Sequence, residues 1–266
     1  MPYRALLAAA SGMNAQQTNI EVISNNIANV NTTGFKKSRA EFQDLIYQEV
    51  AAHPLNSYLP GVIETPTQTI QIGTGVRLAS TDKNHLQGDL HETGNQFDVA
   101  IHGEGFFQLR RPDGTFAYTR DGSFKLSADG SIVTSNGFVL EPGLLIDEEA
   151  MGLQISREGV VSLVYENADV VEVGEIELAK FVNPSGLRAV GDNMFLETDS
   201  SGVPMLGMPG EENFGQLHQG FLESSNVDIV DEMVSMITAQ RSYEINSKTV
   251  KTVEDMMSIA NNLKRT

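Results

Sequence analysis

The 266-residue chain carries 35 acidic and 18 basic residues, a formal net charge of −17, and it contains no cysteine. The absence of cysteine excludes disulfide bonds and thiolate chemistry, and so acidic a chain lacks the basic surface that nucleic acids require. No run reaches the roughly 18 apolar residues of a membrane-spanning helix. We therefore expect no nucleic-acid partner and no membrane insertion.

The negative charge is concentrated in the middle of the chain. Residues 51–225 hold 25 acidic and nine basic residues, whereas residues 1–50 hold four of each and residues 226–266 hold six acidic and five basic. Like charges oppose association, so nearly neutral ends favour packing against other copies of the chain.

The first predicted element is a long helix over residues 4–31. Apolar residues recur there in alternating steps of three and four, the pattern of a coiled-coil stripe. The stripe comprises Leu6, Ala10, Met13, Gln17, Ile20, Ile23, Ile27 and Val30. The apolar run 5–10 is too short for a signal-peptide core and continues into this repeat, so we expect an N-terminus that is not cleaved.

Asparagine is frequent at the end of this helix, at positions 25, 26, 29 and 31. Asparagine is a poor helix former, which leaves two explanations. The amides fix the register of a helix–helix contact, or they weaken and end the helix. Beyond them, Gly34 suits the left-handed conformation that follows a helix end, with Phe35 folded back on Val30.

The next predicted segment, residues 36–87, is an arm between subunits. Residues 36–50 suit an extended or partly helical chain, and residues 53–74 are rich in Pro, Thr and Gly. A loop of that length is unusual inside a compact domain. We therefore expect this segment to reach a neighbouring subunit.

Residues 88–225 change to a strand-like alternation, which predicts a β domain. Asp98–Leu109 suggests a pair of strands around Gly103-Glu104-Gly105, and further strands are expected at 153–164, 170–182 and 193–198. Short strands separated by turn dipeptides indicate a β-meander. These dipeptides are Asp113-Gly114, Asp121-Gly122, Asp129-Gly130 and Asn136-Gly137.

A second long helix is predicted over residues 226–264, with Ser225 as its N-cap. At about 1.5 Å per residue it would be about 58 Å long, so its stripe needs a partner helix. The stripe comprises Ile229, Met233, Met236, Gln240, Tyr243, Ser247, Val250, Val253, Met257 and Ala260. The predicted fold class is α+β: long N- and C-terminal helices (1–35 and 226–266) form a coiled-coil layer, and a mainly β domain lies between them.

No pattern in the chain indicates catalysis, a cofactor or a metal. The five histidines lack the spacing of metal ligands. Gly103-Glu104-Gly105 leads into Phe106-Phe107 rather than a helix, which favours a bulge over a nucleotide site. We interpret Asp147-Glu148-Glu149 as an exposed acidic turn rather than a calcium or glycosidase site.

The segment from Ser24 to Lys36, with the sequence SNNIANVNTTGFK, resembles the N-terminal signature of the bacterial flagellar rod and hook proteins. Further segments resemble the same family along nearly the whole chain. They are residues 10–13, 103–107, 118–124, 219–226, 232–234 and 240–244. Within the family, the chain length and residues 38–45 are most similar to the distal rod subunits.

This resemblance implies a structural subunit of the flagellar distal rod, the drive shaft that crosses the periplasm and transmits torque from motor to hook. It implies self-association into a helical tube with the terminal helices inside. It also implies contacts with proximal rod and hook subunits, the outer rings and the flagellar type III export apparatus. The candidate assembly residues are Asn25, Asn26, Ile27, Asn29, Gly34, Phe35, Met233, Met236, Gln240 and Tyr243.

Two other interpretations remain open at this point. The chain could be another rod or hook subunit of the same family, which residues 36–85 would distinguish. It could instead be a secreted ligand-binding β domain with oligomerisation helices, which predicts a concave polar site within residues 88–225.

Overall fold

The computed structural model describes residues 2–51, 69–147, 150–165, 170–211 and 213–263. The chain folds into two compact units, each made of several segments. Unit 1 comprises the described residues within 1–25, 38–82 and 230–266. Unit 2 comprises those within 26–37 and 83–229.

Unit 1 contains most of two long helices, α1 (Pro2–Ala28) and α2 (Ile229–Leu263). It also contains two pairs of strands, one formed by β1 (Ser38–Asp44) with β4 (Val76–Lys83) and the other by β2 (Gln48–Ala51) with β3 (Thr69–Ile72). The segment 36–51 is therefore extended, not partly helical. Most of the predicted Pro-rich loop, residues 53–68, lies outside the described residues.

The two predicted terminal helices are confirmed, whereas the coiled-coil layer stays a prediction. The helices approach each other at Gly12, where a Cβ atom would lie 2.9 Å from Nδ2 of Asn246. The buried positions include Ala9 and Ala239 rather than the predicted Ala10 and Gln240. Ile23 and Val253 of the predicted stripes are buried as expected, so the buried positions agree with the predicted stripes only in part.

Unit 2 is built almost entirely of short strands, with one 3₁₀ turn at Pro184–Gly186. The strands are β5 (Leu90–Glu92), β6 (Val99–His102), β7 (Phe106–Arg110), β8 (Phe116–Thr119), β9 (Phe124–Leu126), β10 (Ile132–Thr134), β11 (Val139–Leu140), β12 (Gly152–Ile155), β13 (Val160–Val164), β14 (Val170–Glu175), β15 (Leu178–Lys180), β16 (Arg188–Gly191), β17 (Met194–Leu196), β18 (Met205–Gly207), β19 (Gln216–Gln219) and β20 (Phe221–Glu223).

The largest sheet of unit 2 has the order β16-β17-β8-β7-β11-β10-β9, with β15 joining β7 to β18. Strands β12-β13-β14 form a second sheet, and β6 and β5 pair with β19 and β20. Neighbouring residues of β7 point to opposite faces, so Phe106 and Phe107 enter two separate hydrophobic clusters. Both faces of the large sheet are therefore covered, which makes unit 2 a tightly packed body.

Three of the four predicted hairpin turns are confirmed: Gly114, Gly130 and Gly137 have positive φ angles and connect paired strands. The prediction is wrong for Asp121-Gly122, because β8 and β9 do not pair with each other. Gly122 lies against Val99 instead, where a Cβ atom would collide with the Val99 carbonyl oxygen. The predicted pairing around residues 103–105 is also wrong, since β6 pairs with β19 and β7 with β8, β11 and β15.

Neither α1 nor α2, over their described residues, combines the length and apolar character needed to span a membrane.

Candidate assembly site

Helix α1 ends at Ala28, and a series of turns leads from there to Gly34. Gly34 has a φ of +65°, which confirms the predicted left-handed conformation. The helix ends three residues earlier than predicted, so Gly34 closes a later turn in which Phe35 N–H donates to the Thr32 carbonyl at 3.3 Å. A Cβ atom at Gly34 would lie 2.7 Å from the backbone C of Arg120 and the backbone N of Asp121.

Hydrogen bonds attach this turn to three distant parts of unit 2. The Thr33 hydroxyl donates to Asp121 Oδ1 at 2.9 Å, and Asn193 Nδ2 donates to the Thr33 carbonyl at 2.9 Å. Gly34 N–H donates to the Glu223 carbonyl at 2.8 Å. The segment that follows α1 is therefore built into the β body rather than lying on its surface.

A buried cluster of charged side chains lies directly after the turn. Lys36 Nζ contacts Glu223 Oε1 at 2.5 Å, and Arg120 Nη1 lies 3.4 Å from Glu223 Oε2. The side chains of Lys36 and Glu223 are 0% exposed, and that of Arg120 is 4% exposed. Lys36 Nζ also donates to the Leu86 carbonyl at 2.7 Å, and Gly88 N–H donates to Glu223 Oε1 at 2.8 Å.

This cluster holds two cations against one carboxylate, so burial leaves a surplus of positive charge. Burial lowers the pKa of Lys36 below its ordinary value, although Glu223 opposes the shift. Aromatic rings compensate part of the surplus, since ring faces attract cations. The Arg120 guanidinium lies 5.2 Å from the Phe106 ring centroid, and Lys83 Nζ lies 5.0 Å from that of Phe35.

His85 lies beside these cations. Its ring packs edge-on against Phe106 and Phe195, with centroid distances of 5.6 and 5.4 Å. Neither ring nitrogen has a hydrogen-bond partner among the described residues. Burial lowers the pKa of His85 to about 4, and the charges of Lys36, Arg120 and Lys83 add to that effect. His85 is therefore neutral at neutral pH.

The candidate residues at the front of the chain are distributed between exposed and buried positions. Asn25 is exposed, Asn26 is 2% exposed, and Ile27 and Asn29 are half-buried. Asn29 Oδ1 accepts a hydrogen bond from the Thr32 hydroxyl at 3.2 Å. Gly34 and Phe35 are buried within unit 2, so in this fold they stabilise the subunit itself; their role in assembly stays a prediction.

The candidate residues at the back of the chain lie on α2. Met233 is 55% exposed, Tyr243 is 39% exposed, Gln240 is exposed and Met236 is half-buried. Most of this set is thus accessible to another molecule, as an interface would require. The front and back sets fall mainly in different units, and a common interface stays a prediction.

The charged cluster is absent from the residues selected from the sequence. Lys36 and Arg120 occur within the family-like segments, but no local pattern distinguishes a buried charge from an exposed one. Glu223 and His85 are likewise separated in sequence from the groups they contact. No group of three or more His, Asp or Glu residues that could hold a metal occurs among the described residues.

We expect Gly34→Val to destabilise unit 2 by more than about 3 kcal/mol, because it combines a disfavoured φ with overlap against fixed backbone. Gly137→Val is the matched control, since Gly137 also has a positive φ but no atom within 4 Å of a Cβ. Urea denaturation of the monomeric protein measures both changes. Equal losses in the free energy of unfolding for the two variants would contradict the close approach of Gly34 to the backbone of Arg120 and Asp121.

We expect His85 to make folding stability dependent on pH. Its folded-state pKa, about 4, is below the ordinary 6.5, so the unfolded chain binds the proton first as the pH falls. The contribution of neutral His85 is complete above pH 6.5 and decreases by up to about 3 kcal/mol between pH 6.5 and 4.

His85→Phe should remove this slope while retaining the ring packing, and His91→Phe, at an exposed histidine, should retain it. Denaturant titrations of the wild type and the two variants at a series of pH values measure how the free energy of unfolding of each depends on pH. Identical slopes in the wild type and His85→Phe would show that His85 does not titrate in a buried site.

Comparison with known proteins gives three family matches. Residues 6–36 match the family described as "Flagella basal body rod protein", and residues 100–163 match "Flagellar hook protein FlgE/F/G D1 domain". Residues 218–263 match "Flagellar basal body rod FlgEFG protein C-terminal". The first and third matches cover most of the two helices, and the second covers the centre of unit 2.

Similar proteins named "Flagellar basal-body rod protein FlgG" occur in distant bacteria. The chain is 48% identical to the one from Borreliella burgdorferi, over 98% of this chain and 99% of the relative. It is 46% identical to the one from Agrobacterium fabrum, over 98% and 100%, and 39% identical to the one from Bacillus subtilis, over 98% and 99%. The chain belongs to the family of flagellar basal-body rod proteins.

Proposed function

We propose that this chain is a structural subunit of the flagellar distal rod, which polymerises into a helical tube and transmits torque from the motor to the hook. The family consists of structural rod proteins, so the chain acts by assembly and not as an enzyme. The observation that carries the proposal is a second apolar stripe on α2 that the single chain leaves exposed.

The second stripe lies on the side of α2 away from the buried residues Glu232 and Ala239. Its members are separated by steps of three and four or by sums of these. They are Val230, Val234, Ile237, Ile245, Met256, Ile259 and Leu263, each between 51 and 73% exposed. Exposed apolar side chains that recur along one face of a helix, here interrupted by Arg241 and Lys248, mark an interaction site. Because its repeat is helical, the partner that fits it best is another helix.

The simplest partner helix is one from another copy of the chain. Helix α1 has exposed apolar side chains at Tyr3 (69%) and Leu7 (52%). The terminal segments are nearly neutral, so their close packing in a polymer meets little repulsion. Contact between different surfaces of successive copies is a heterologous interface, which produces a helical filament when it does not close.

Unit 2 suits the transmission of load because both faces of its large sheet are packed. Well-packed interiors have low compressibility and transmit strain. Its residues also contain most of the negative charge, since the middle of the chain, 51–225, has a net charge of −16 (25 acidic and nine basic residues). An acidic outer surface would keep the rotating rod from adhering to its surroundings.

We propose further that the rod subunit lies in the flagellar basal body and crosses the periplasm within the outer rings. Its neighbours along the axis would be proximal rod subunits on one side and hook subunits on the other. The subunit would reach this position through the flagellar export apparatus with its N-terminal helix retained. In support, the apolar residues 5–10 form part of the continuous helix α1.

The test is deletion of the gene in its native bacterium, followed by electron microscopy of isolated basal bodies. Structures that end at a short proximal rod, without hook or filament, are expected. A complete rod that lacks only the hook would move the assignment to the hook. Intact and motile flagella would contradict the proposal.

Complementation of the deletion strain tests the second stripe of α2. Ile237→Glu places a charge on this stripe, and because Ile237 is 51% exposed the monomer should keep its stability. We expect this variant to be made but not to extend the rod. Val182→Glu is the control, since Val182 is an 80% exposed aliphatic residue in unit 2. Normal rods from Ile237→Glu would exclude this face from assembly.

A further inference from the structure

The chain passes between unit 1 and unit 2 four times, at residues 25–26, 37–38, 82–83 and 229–230. Any force that travels along the backbone from one unit to the other must pass through these four segments. How they are joined to one another therefore decides whether a load is shared or falls on one segment.

One side chain of unit 2 joins three of these segments. Asn226 Oδ1 accepts the backbone N–H of Lys37 at 2.8 Å. Asn226 Nδ2 donates to the carbonyl oxygens of Asn84 at 2.9 Å and Leu86 at 3.0 Å. Asn84 N–H in turn donates to the Lys37 carbonyl at 2.9 Å, so the segments around 37 and 84 are also bonded directly.

Glu223 reinforces the same junction three residues earlier. Its backbone carbonyl accepts Gly34 N–H, and its side chain holds Lys36 and Gly88 N–H. Ser224 N–H donates to the Asp89 carbonyl at 2.8 Å, and a Cβ atom at Gly88 would collide with the Ser224 carbonyl oxygen. The segments 34–37, 84–89 and 223–226 are thus in close contact along their length.

The chemistry of Asn226 fits this position closely. A side-chain amide offers one acceptor oxygen and two donor hydrogens, and here the acceptor and both donors are used. Aspartate has nearly the same shape but no donor, so it would direct a negative oxygen at the carbonyls of Asn84 and Leu86. Leucine would lose all three hydrogen bonds.

We infer that Asn226, together with Lys36 and Glu223, forms a clamp that binds three of the four connecting segments, those next to residues 37, 83 and 229, into one load-sharing junction. We call these three residues the junction clamp. Asn226 is a positioning residue in it, and it fixes the backbone at Lys37 and Asn84. The part of this inference that concerns load rests on the proposed function as a rod subunit.

Hydrogen exchange of the full-length monomer tests the clamp independently of any flagellum. In Asn226→Asp the carboxylate repels the carbonyl oxygens of Asn84 and Leu86 and pushes the segments apart, so the amides of Lys37 and Asn84 should exchange roughly tenfold faster or more, the scale of one hydrogen bond. Amides in the β7–β8 ladder should change little.

Two control variants make the result specific. Asn136→Asp makes the same chemical change at an exposed turn residue. Val161→Ala weakens the core of unit 2 at a residue that is 0% exposed. Unchanged exchange at Lys37 and Asn84 in Asn226→Asp would overturn the clamp. Exchange that is faster throughout unit 2, as expected for Val161→Ala, would also overturn the clamp. It would show that Asn226 contributes only to the overall stability of unit 2.

The role in load is tested in cells that carry Asn226→Asp in place of the wild-type gene. We expect assembled rods and normal rotation at low load, but at least a twofold loss of rotation speed for cells tethered under high load, compared with Asn136→Asp. Equal speeds under load would overturn load sharing. If deletion of the gene left flagella intact, the rod function itself would fail, while hydrogen exchange would still decide whether the clamp exists.

Discussion

The carboxylate of Glu223 accepts hydrogen bonds from three separate segments in a site that excludes water. It holds Lys36 after α1, Arg120 after β8 and the backbone N–H of Gly88. An ion pair of this kind adds little net stability by itself, because desolvation offsets the attraction. Removal of one partner is a different matter, since it leaves an uncompensated buried charge and costs about 3–5 kcal/mol.

This cluster explains the residues found in the segment after α1. Gly34 must approach the backbone of Arg120 and Asp121, and Phe35 supplies a ring face beneath Lys83. Lys36 must then enter the interior with Glu223 as its counter-charge. Each of these residues fulfils a requirement set by a strand far away in the sequence. The turn therefore serves as the attachment of the N-terminal helix to the β body.

The features set by local sequence could be predicted, and those set by distant contacts could not. Periodicity located both helices, and Gly114, Gly130 and Gly137 marked hairpins because a tight turn requires positive φ. Gly122 was wrongly predicted to mark a hairpin, because its close approach to Val99, and not a tight turn, requires glycine there. Lys36 and Glu223 are 187 positions apart, and only the folded chain brings them together. The helix stripes were predicted in part: Ile23 and Val253 are buried as expected, but Ala9 and Ala239 are buried in place of Ala10 and Gln240.

The two units contribute different physical properties to a rod. The helices offer apolar surface in excess of what one chain covers, which drives association. The β body offers dense packing, a buried cluster of two cations and one carboxylate, and an acidic surface. A subunit that carries torque needs helices that associate with other copies and a rigid body. The connection between the helices and the body must also be rigid. The buried cluster and the hydrogen bonds around it lie within unit 2, close in sequence to segments that continue into unit 1.

The interaction of Lys36 with Glu223 holds the turn after α1 in the β body. A double-mutant cycle with Lys36→Met and Glu223→Leu, followed by urea denaturation of the monomer, measures this interaction directly. We expect a coupling free energy above about 2 kcal/mol, with the double variant more stable than the sum of the single losses implies. Additive losses, with a coupling near zero, would contradict the account.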